Sequence, residues 1–227
     1  MRIFLSLLTI ILTACSPFEF TVSPASDEIL TVNLSHELLW IQNLMHPCLA
    51  TYPETALFIQ SENKLFLEKN EIYISLGMSP NNGDLHAALL GQEEIYVIAN
   101  TAIDNNSINL MSIRNSYLSL DPQFQAWTYA SGNQSREIFN VVLLESISLS
   151  PHVKIVPDPL AMLDAISNSP NAIGYIPKSW ISKAVQVIPL DNELKNPLRQ
   201  PIIALTNGEP KRNSVLFLSC LHHELQQ

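Results

Sequence analysis

The sequence lacks the short motifs by which many enzymes are recognised. It has no G-x-S-x-G nucleophile turn, no H-E-x-x-H metal helix, no P-loop and no G-x-G-x-x-G dinucleotide fingerprint. We therefore expect no enzyme and no cofactor. The alternative is an enzyme whose catalytic set is assembled only by the fold, and its turnover would then depend on His36 or Ser135.

Charged residues are also few, at 15% of the chain. The chain has 12 Lys and Arg residues and 21 Asp and Glu residues, which gives a net charge of −9. The basic residues form no run longer than Lys211-Arg212. A nucleic-acid-binding protein would present a basic face, so we expect no nucleic-acid partner. The hydrophobic content of 47% is typical of a packed globular protein.

The apolar run at residues 3–12 is too short to cross a bilayer, which needs about 20 residues. It follows Arg2 and precedes Leu12-Thr13-Ala14-Cys15, a pattern typical of a secretory signal. The four residues Leu12 to Cys15 resemble the lipobox of bacterial lipoproteins. This resemblance implies a signal peptide at 1–14, acylation of Cys15, a tether at 15–28 and a lipid anchor to the membrane on the extracytoplasmic side of the cell envelope. The alternative is an ordinary signal peptide that ends near a cysteine.

Only three cysteines are present, and none forms a C-x-x-C pair. If Cys15 carries lipid, Cys48 and Cys220 remain as a possible disulfide in an oxidising compartment. The alternative is two buried free thiols that act as small hydrophobic groups. The adjacent His222 and His223 would point about 100° apart on a helix, so we expect no metal site.

Alternating helix and strand patterns extend through the rest of the chain. Such alternation predicts an α/β fold with a mainly parallel sheet. A helix from Ser35 to about residue 51 contains Pro47, which should kink or split it. The predicted strands cover 29–33, 56–60, 65–67, 71–76, 94–99, 125–129, 153–156, 172–176, 184–190 and 202–206. The other predicted helices cover 110–118, 135–146, 159–167 and 210–224, and a loop is predicted at 77–84.

The segment Gly132-Asn133-Gln134-Ser135-Arg136 follows a predicted strand and opens a predicted helix. The unpaired N–H groups of a first helical turn and the positive end of the helix dipole favour an anion. Ser135 and Arg136 add side-chain donors. The alternative is an ordinary capped helix whose Arg136 pairs with Glu137 or with solvent.

Three further segments occur in an order that resembles phosphate-type periplasmic solute-binding proteins. Residues 95–118 are similar to that family's crossover strand and its N-P-x-x-N-L-t turn and helix. Residues 171–177 resemble its g-a-I-G-Y-v strand, and residues 197–201 resemble the Y-P-x-x-R-P segment that leads back to the first lobe. Residues 132–139 fall where the family has G-S-G-T-R-D-x-F. The residues at its Thr, Arg and Phe positions are Ser135, Arg136 and Phe139.

The resemblance implies a two-lobed, type 2 Venus-flytrap fold with two hinge crossings. Lobe 1 would comprise 29–99 and 197–227, and lobe 2 would comprise 100–196, which places both Cys48 and Cys220 in lobe 1. The ligand would bind between the lobes. The residues onto which this site maps are Asn33, Ser35, His36, Ser75, Gly77, Asn133, Gln134, Ser135 and Arg136.

Three positions depart from the family pattern. Asn133-Gln134 replaces its Ser-Gly, Tyr129 stands where an arginine is frequent, and Leu76 or Gly77 replaces an acidic residue. Phosphate, another oxyanion, a larger organic ligand and no ligand therefore all remain open.

From these features we expect a lipid-anchored, monomeric, extracytoplasmic protein. It would capture a small anionic solute and deliver it to an ABC permease. The alternative is an envelope lipoprotein that keeps the fold as a scaffold or sensory partner without transport.

Overall fold

The computed structural model describes residues 28–50, 55–61, 67–68, 71–77, 85–190, 194 and 196–226. The signal sequence, Cys15, most of the predicted strand at 65–67 and most of the predicted loop at 77–84 lie outside the described residues.

The described residues form nine strands, five α-helices and three short 3-10 helices. The strands are β1 Glu28–Leu34, β2 Thr55–Gln60, β3 Glu71–Leu76, β4 His86–Asn100, β5 Gln125–Tyr129, β6 Lys154–Val156, β7 Ala172–Pro177, β8 Val185–Ile188 and β9 Arg199–Thr206. The α-helices are α1 Gln42–Ala50, α2 Leu110–Leu118, α3 Gln134–Val142, α4 Pro159–Ser167 and α5 Arg212–Glu224. The 3-10 helices are His36–Ile41, Asn105–Ser107 and Lys178–Trp180.

One sheet runs through the described part in the order β2-β1-β3-β9-β4-β7-β5-β6, with β8 paired to β4. The pairs β1–β2, β1–β3, β5–β6 and β5–β7 are parallel. The pairs β3–β9, β4–β9, β4–β7 and β4–β8 are antiparallel. The prediction of a mainly parallel sheet is therefore wrong, because each antiparallel pair contains one of the long strands β4 and β9 that join the two halves.

Two separate hydrophobic cores lie on either side of this join. The first core packs β1, β3, α1 and α5 around residues such as Leu34, Ile74 and Phe217. The second core extends from Ile95 to Leu198 and holds β5, β7 and helices α2 to α4. The chain passes from the first core to the second within β4, at Glu94 and Ile95, and returns through residues 197–199. Each core is built from strands whose apolar faces are covered by helices.

Several predicted boundaries need correction. The predicted helix at 35–51 is a 3-10 helix that becomes α1 at Gln42, so the change precedes Pro47, which lies inside α1. Helix α3 ends at Val142 and not at 146, since Glu145 and Ser146 adopt left-handed φ values of 54° and 61°. The predicted strand at 94–99 is only the last part of β4. Residues 86–93 contain no β-branched residue, and pairing with β9 holds them in the sheet.

The disulfide between Cys48 and Cys220 is present, with a Cα–Cα distance of 5.6 Å. It joins α1 to α5 in the first core, across 172 positions of sequence. Of the two alternatives that the sequence left open, the structure has the disulfide and not the two free thiols.

Candidate functional site

The start of helix α3 lies against the first core. We call the residues of this contact the junction, and they are Glu37, Gly77, Asn133, Gln134, Ser135 and Gln200. Gly77 has φ +64° and its N–H donates to the Pro201 carbonyl at 2.8 Å. A Cβ at Gly77 would lie 3.1 Å from Gln134 Oε1. Gln200 Nε2 donates to the Gln134 carbonyl at 2.9 Å. Gly77 therefore suits both the left-handed backbone at this position and the close approach of the Gln134 side chain.

Asn133 caps α3 and also joins the two cores. Its Oδ1 accepts a hydrogen bond from the Arg136 N–H at 3.1 Å, as is usual for an N-cap. Its Nδ2 donates to Oε1 of Glu37, in the first 3-10 helix, at 2.5 Å. Trp180 of the second core donates from Nε1 to the Glu37 carbonyl at 2.7 Å. Glu37 is thus bonded twice across the junction.

The Glu37 side chain is almost completely buried, with 5% exposure. This burial raises the pKa of its carboxyl group, and its own backbone N–H, the Ser35 hydroxyl, His36 and Asn133 oppose the rise. Burial, together with the charge of Glu37, raises the pKa of Tyr73 to about 12. The junction therefore contains one acidic group that is shielded from water.

Several buried polar atoms near the junction have no hydrogen-bond partner among the described residues. Eight side-chain atoms have this property in the described part of the chain, and five of them belong to residues of this region. Ser35 Oγ is one of the five: it lies near enough to Glu37 to lower its pKa without making a hydrogen bond of normal geometry. Buried polar atoms normally have partners, so five unpaired ones on residues of the junction and of the segment just before Glu37 are unusual. The five atoms are Asn33 Oδ1, Asn33 Nδ2, Ser35 Oγ, Ser135 Oγ and Gln200 Oε1.

The residues predicted from sequence for the ligand site differ in their surroundings. Asn33 and Ser35, at the end of β1 and just beyond it, are buried. Ser135, in the first turn of α3, is also buried. Ser75 is buried and donates to the Gly77 carbonyl at 3.2 Å, whereas His36 is exposed.

Arg136 has a partner that the sequence did not indicate. Its Nη1 donates to the carbonyl of Tyr129, at the end of β5, at 2.9 Å. This contact is neither the pairing with Glu137 nor the exposure to solvent considered from sequence. It ties the first turn of α3 to the strand that precedes it.

Three residues of this region were missed from sequence: Glu37, Trp180 and Gln200. Glu37 lies in the first turn of a helix, where an acidic residue is usually assigned to the helix dipole. Gln200 lies in the segment that returns to the first core, and its amide is aimed at α3 only because β9 pairs with β3. A lone tryptophan such as Trp180 carries no local signal of its own. Contacts between the two cores are long-range and leave no mark in a short motif.

A second set of contacts joins the cores at the crossing strands. Glu93 accepts hydrogen bonds from the Ser179 hydroxyl at 2.9 Å and from the Ser179 N–H at 3.3 Å. Burial raises the pKa of Glu93, and these bonds oppose the rise. Glu94 pairs with Arg199 and, at 3.5 Å, with Lys178. The pair with Arg199 links the outgoing crossing at Glu94 to the returning one.

A cavity of about 360 Å³ lies beside the same crossings. It is lined by β4, by the segment after β8 and by the return crossing, including Ile95, Ile188 and Leu198. None of the nine residues predicted for the ligand site lines it.

Within the described ranges, no group of three or more His, Cys, Asp or Glu residues is placed to hold a metal ion. No helix in that part of the chain is both long and apolar enough to cross a membrane.

No protein-family profile and no curated protein matches the chain. Solved structures do match in fold. One, described as a phosphate ABC transporter substrate-binding protein from Clostridium perfringens with bound phosphate, has a TM-score of 0.69 at 14% identity over 86% of this chain and 93% of its own. An ABC-type phosphate transport receptor from Vibrio cholerae has a TM-score of 0.59 at 16% identity over 88% and 96%.

The reduced regulatory domain of OxyR2 from Vibrio vulnificus is equally similar in fold. Its TM-score is 0.69, at 8% identity, over 88% of this chain and 97% of that domain. The chain therefore has the two-lobed type 2 periplasmic-binding fold. This fold is shared by solute-binding proteins and regulatory domains, so the fold alone does not decide between these functions.

Proposed function

We propose that this protein binds a small oxyanion-bearing solute at the junction between its two cores. The observation that carries the proposal is the group of buried, unpaired polar atoms on Asn33, Ser35, Ser135 and Gln200. A solute oxygen that accepts hydrogen bonds would satisfy the three donors among these atoms, which are Ser35 Oγ, Ser135 Oγ and Asn33 Nδ2. Asn33 Oδ1 and Gln200 Oε1 are acceptors, and a hydroxyl group on the same solute would donate to them. Burial of such groups without partners is costly, so their pairing would favour binding.

Helix α3 contributes the second part of the proposed site. The N–H groups of Gln134 and Ser135 lie in its first turn, where helix geometry supplies no acceptor. The positive end of the helix dipole also favours an oxyanion there. The lobes would be 29–99 with 197–227, and 100–196, closing over the solute by bending at the two crossings. Ser75, Gly77 and Arg136 support the backbone of the site in this proposal.

The place of action is part of the same proposal. The signal-like residues 1–14 and Cys15 support export and lipid attachment to the membrane. The disulfide between Cys48 and Cys220 agrees with an oxidising, extracytoplasmic compartment. In that setting a monomer would deliver its solute to an ABC permease.

Ligand binding is tested by thermal unfolding of the purified full chain with phosphate, sulfate, molybdate, phosphonates, carboxylates and amino acids. A ligand at about 100 times its Kd should stabilise the protein by about 2.7 kcal/mol and raise Tm by about 5–10 °C. Asn33→Ala and Ser135→Ala should abolish the rise, because each removes a donor from the site.

Ser116→Ala is the matched control for Ser135→Ala. Ser116 is an equally buried helical serine, on α2, and its hydroxyl is already bonded to the Ser112 carbonyl. A rise in Tm that persists in Ser135→Ala, or that disappears in Ser116→Ala as well, contradicts the proposed site.

Lipid attachment is tested by labelling cells with a radioactive fatty acid. Cys15→Ser should lose the label and move the protein from the membrane fraction to the soluble fraction. The pair Cys48→Ala and Cys220→Ala should keep the label, because neither residue lies in the lipobox. Unchanged labelling of Cys15→Ser would contradict the anchor.

A second candidate function is supported by the contacts that the two cores already make with each other. Asn133, Trp180 and Gln200 bond across the junction to groups of the protein itself. A scaffold or sensory lipoprotein would use such a closed form without transport, and the similarity to a regulatory domain agrees with it. If activity in the cell survives both Asn33→Ala and Ser135→Ala, this second function is favoured.

A further inference from the structure

The Glu37 carboxyl group lies beside Asn133, the residue that caps α3, and so next to the place proposed for the anion. It accepts a hydrogen bond from Asn133, the residue that caps α3, and it belongs to the opposite core. Helix N-termini stabilise carboxylates for the same reason that they stabilise bound oxyanions. The junction therefore already contains an anion of its own.

The other groups around Glu37 show that little else balances its charge. Tyr73 on β3 and Tyr129 on β5 are neutral phenols near enough to be affected by that charge. Ser35 and Asn133 are uncharged donors. His36, the next residue, is the one cationic group that acts on Glu37 among the described residues, and its side chain is exposed. The Arg136 guanidinium instead bonds the Tyr129 carbonyl.

We propose that Glu37 is an internal ligand of the junction, which holds the two cores together through Asn133 and competes with any anion that binds there. The claim that Glu37 competes with an anion rests on the function proposed above. The claim that Glu37 holds the two cores together does not. Like charges at short distance in a site shielded from water repel strongly, so an incoming anion must displace Glu37 or find it protonated.

The holding of the cores is tested without any ligand. The Trp180 indole N–H donates to the Glu37 carbonyl across the junction, so its ¹H–¹⁵N resonance reports closure. This resonance is identified by its absence from the spectrum of Trp180→Phe. In anion-free buffer we expect slow solvent exchange of this proton in the natural protein and exchange about tenfold faster or more in Glu37→Ala. Glu37→Gln keeps an oxygen that can accept from Asn133, so it should remain protected.

The competition is tested by calorimetric titration with sulfate, which stays fully ionised over the pH range used. Glu37→Gln removes the charge and keeps the size, so it should bind sulfate about tenfold more tightly than the natural protein. The control is Glu137→Gln, which removes one negative charge from the first turn of the same helix at an exposed position. Its affinity should change much less.

The effect of pH has a defined sign. Because burial raises the pKa of Glu37, its carboxylate takes up a proton at a higher pH than an ordinary glutamate does. Sulfate affinity of the natural protein should therefore increase as the pH falls from about 8 to about 5, and this increase should be absent in Glu37→Gln. Because His36 adjoins Glu37 and acts on its charge, the series is repeated with His36→Asn as a control.

The outcomes separate the two claims. Equal sulfate affinity in the natural protein and in Glu37→Gln overturns the competition. An unchanged solvent-exchange rate of the Trp180 indole proton in Glu37→Ala overturns the holding of the cores. If no variant binds any anion, the competition fails together with the proposed function, and the Trp180 exchange rates still decide whether Glu37 holds the cores.

Discussion

Phe139→Ala should lower the free energy of unfolding by about 3–5 kcal/mol. The Phe139 side chain is fully buried on α3, and its ring stacks on Tyr175 at a centroid distance of 3.9 Å. Tyr117 packs against it at 4.8 Å, and Tyr175 meets Tyr129 edge-on at 5.3 Å. Truncation would leave a cavity at the centre of this aromatic cluster, and the hydrogen-bonded tyrosines around it are poorly placed to fill the space.

The measurement is urea unfolding followed by tryptophan fluorescence, with the slope of the transition expected to remain unchanged. Val141→Ala, two residues away on the same helix, is the control, because this valine is 58% exposed and should change stability by less than about 0.5 kcal/mol. A loss below about 1 kcal/mol in Phe139→Ala would show that the cluster does not anchor α3. Because Asn133, Gln134 and Ser135 of the junction lie at the start of α3, Phe139→Ala should also weaken any ligand binding.

Loss of the disulfide should cost about 2–5 kcal/mol. Cys48 on α1 and Cys220 on α5 close a loop of most of the described chain. Bonding them restricts the unfolded chain far more than the folded one, in which the two helices already pack together in the first core. The pair Cys48→Ala and Cys220→Ala removes the bond and keeps both positions apolar.

The measurement compares urea unfolding of the natural protein with and without a reductant, and of the double variant. Reduction and substitution should lower stability by similar amounts, and the reductant should have no effect on the double variant. A natural protein that is equally stable with and without reductant would contradict the prediction.

Elements with a strong local pattern could be predicted closely from sequence. Helices α2 and α4 and strand β5 have the predicted bounds, because each combines a regular apolar period with clear end signals, such as the N-caps Asn109 and Asp158. Strands β4 and β9 were predicted too short. Their outer parts are held by pairing with distant residues and not by local preference.

The residues of the candidate site also fall into two groups: those that a local sequence signal indicates, and those that only the folded chain brings together. Ser135 and Asn133 could be identified because a capped helix start is a local signal with a known affinity for anions. Glu37, Trp180 and Gln200 could not be found, since each gains its importance from a partner in the other half of the molecule.

The sequence by itself thus determined the α/β class, the Cys48 and Cys220 pair as a candidate bond and the start of α3 as a point of interest, because these depend on residue type and short spacing. The tertiary structure alone decided the mixed strand order, the partner of Arg136 and the burial of Glu37 against Asn133. The physical reason is that burial and charge pairing depend on which distant segments the two crossings bring together, and only the folded chain specifies that.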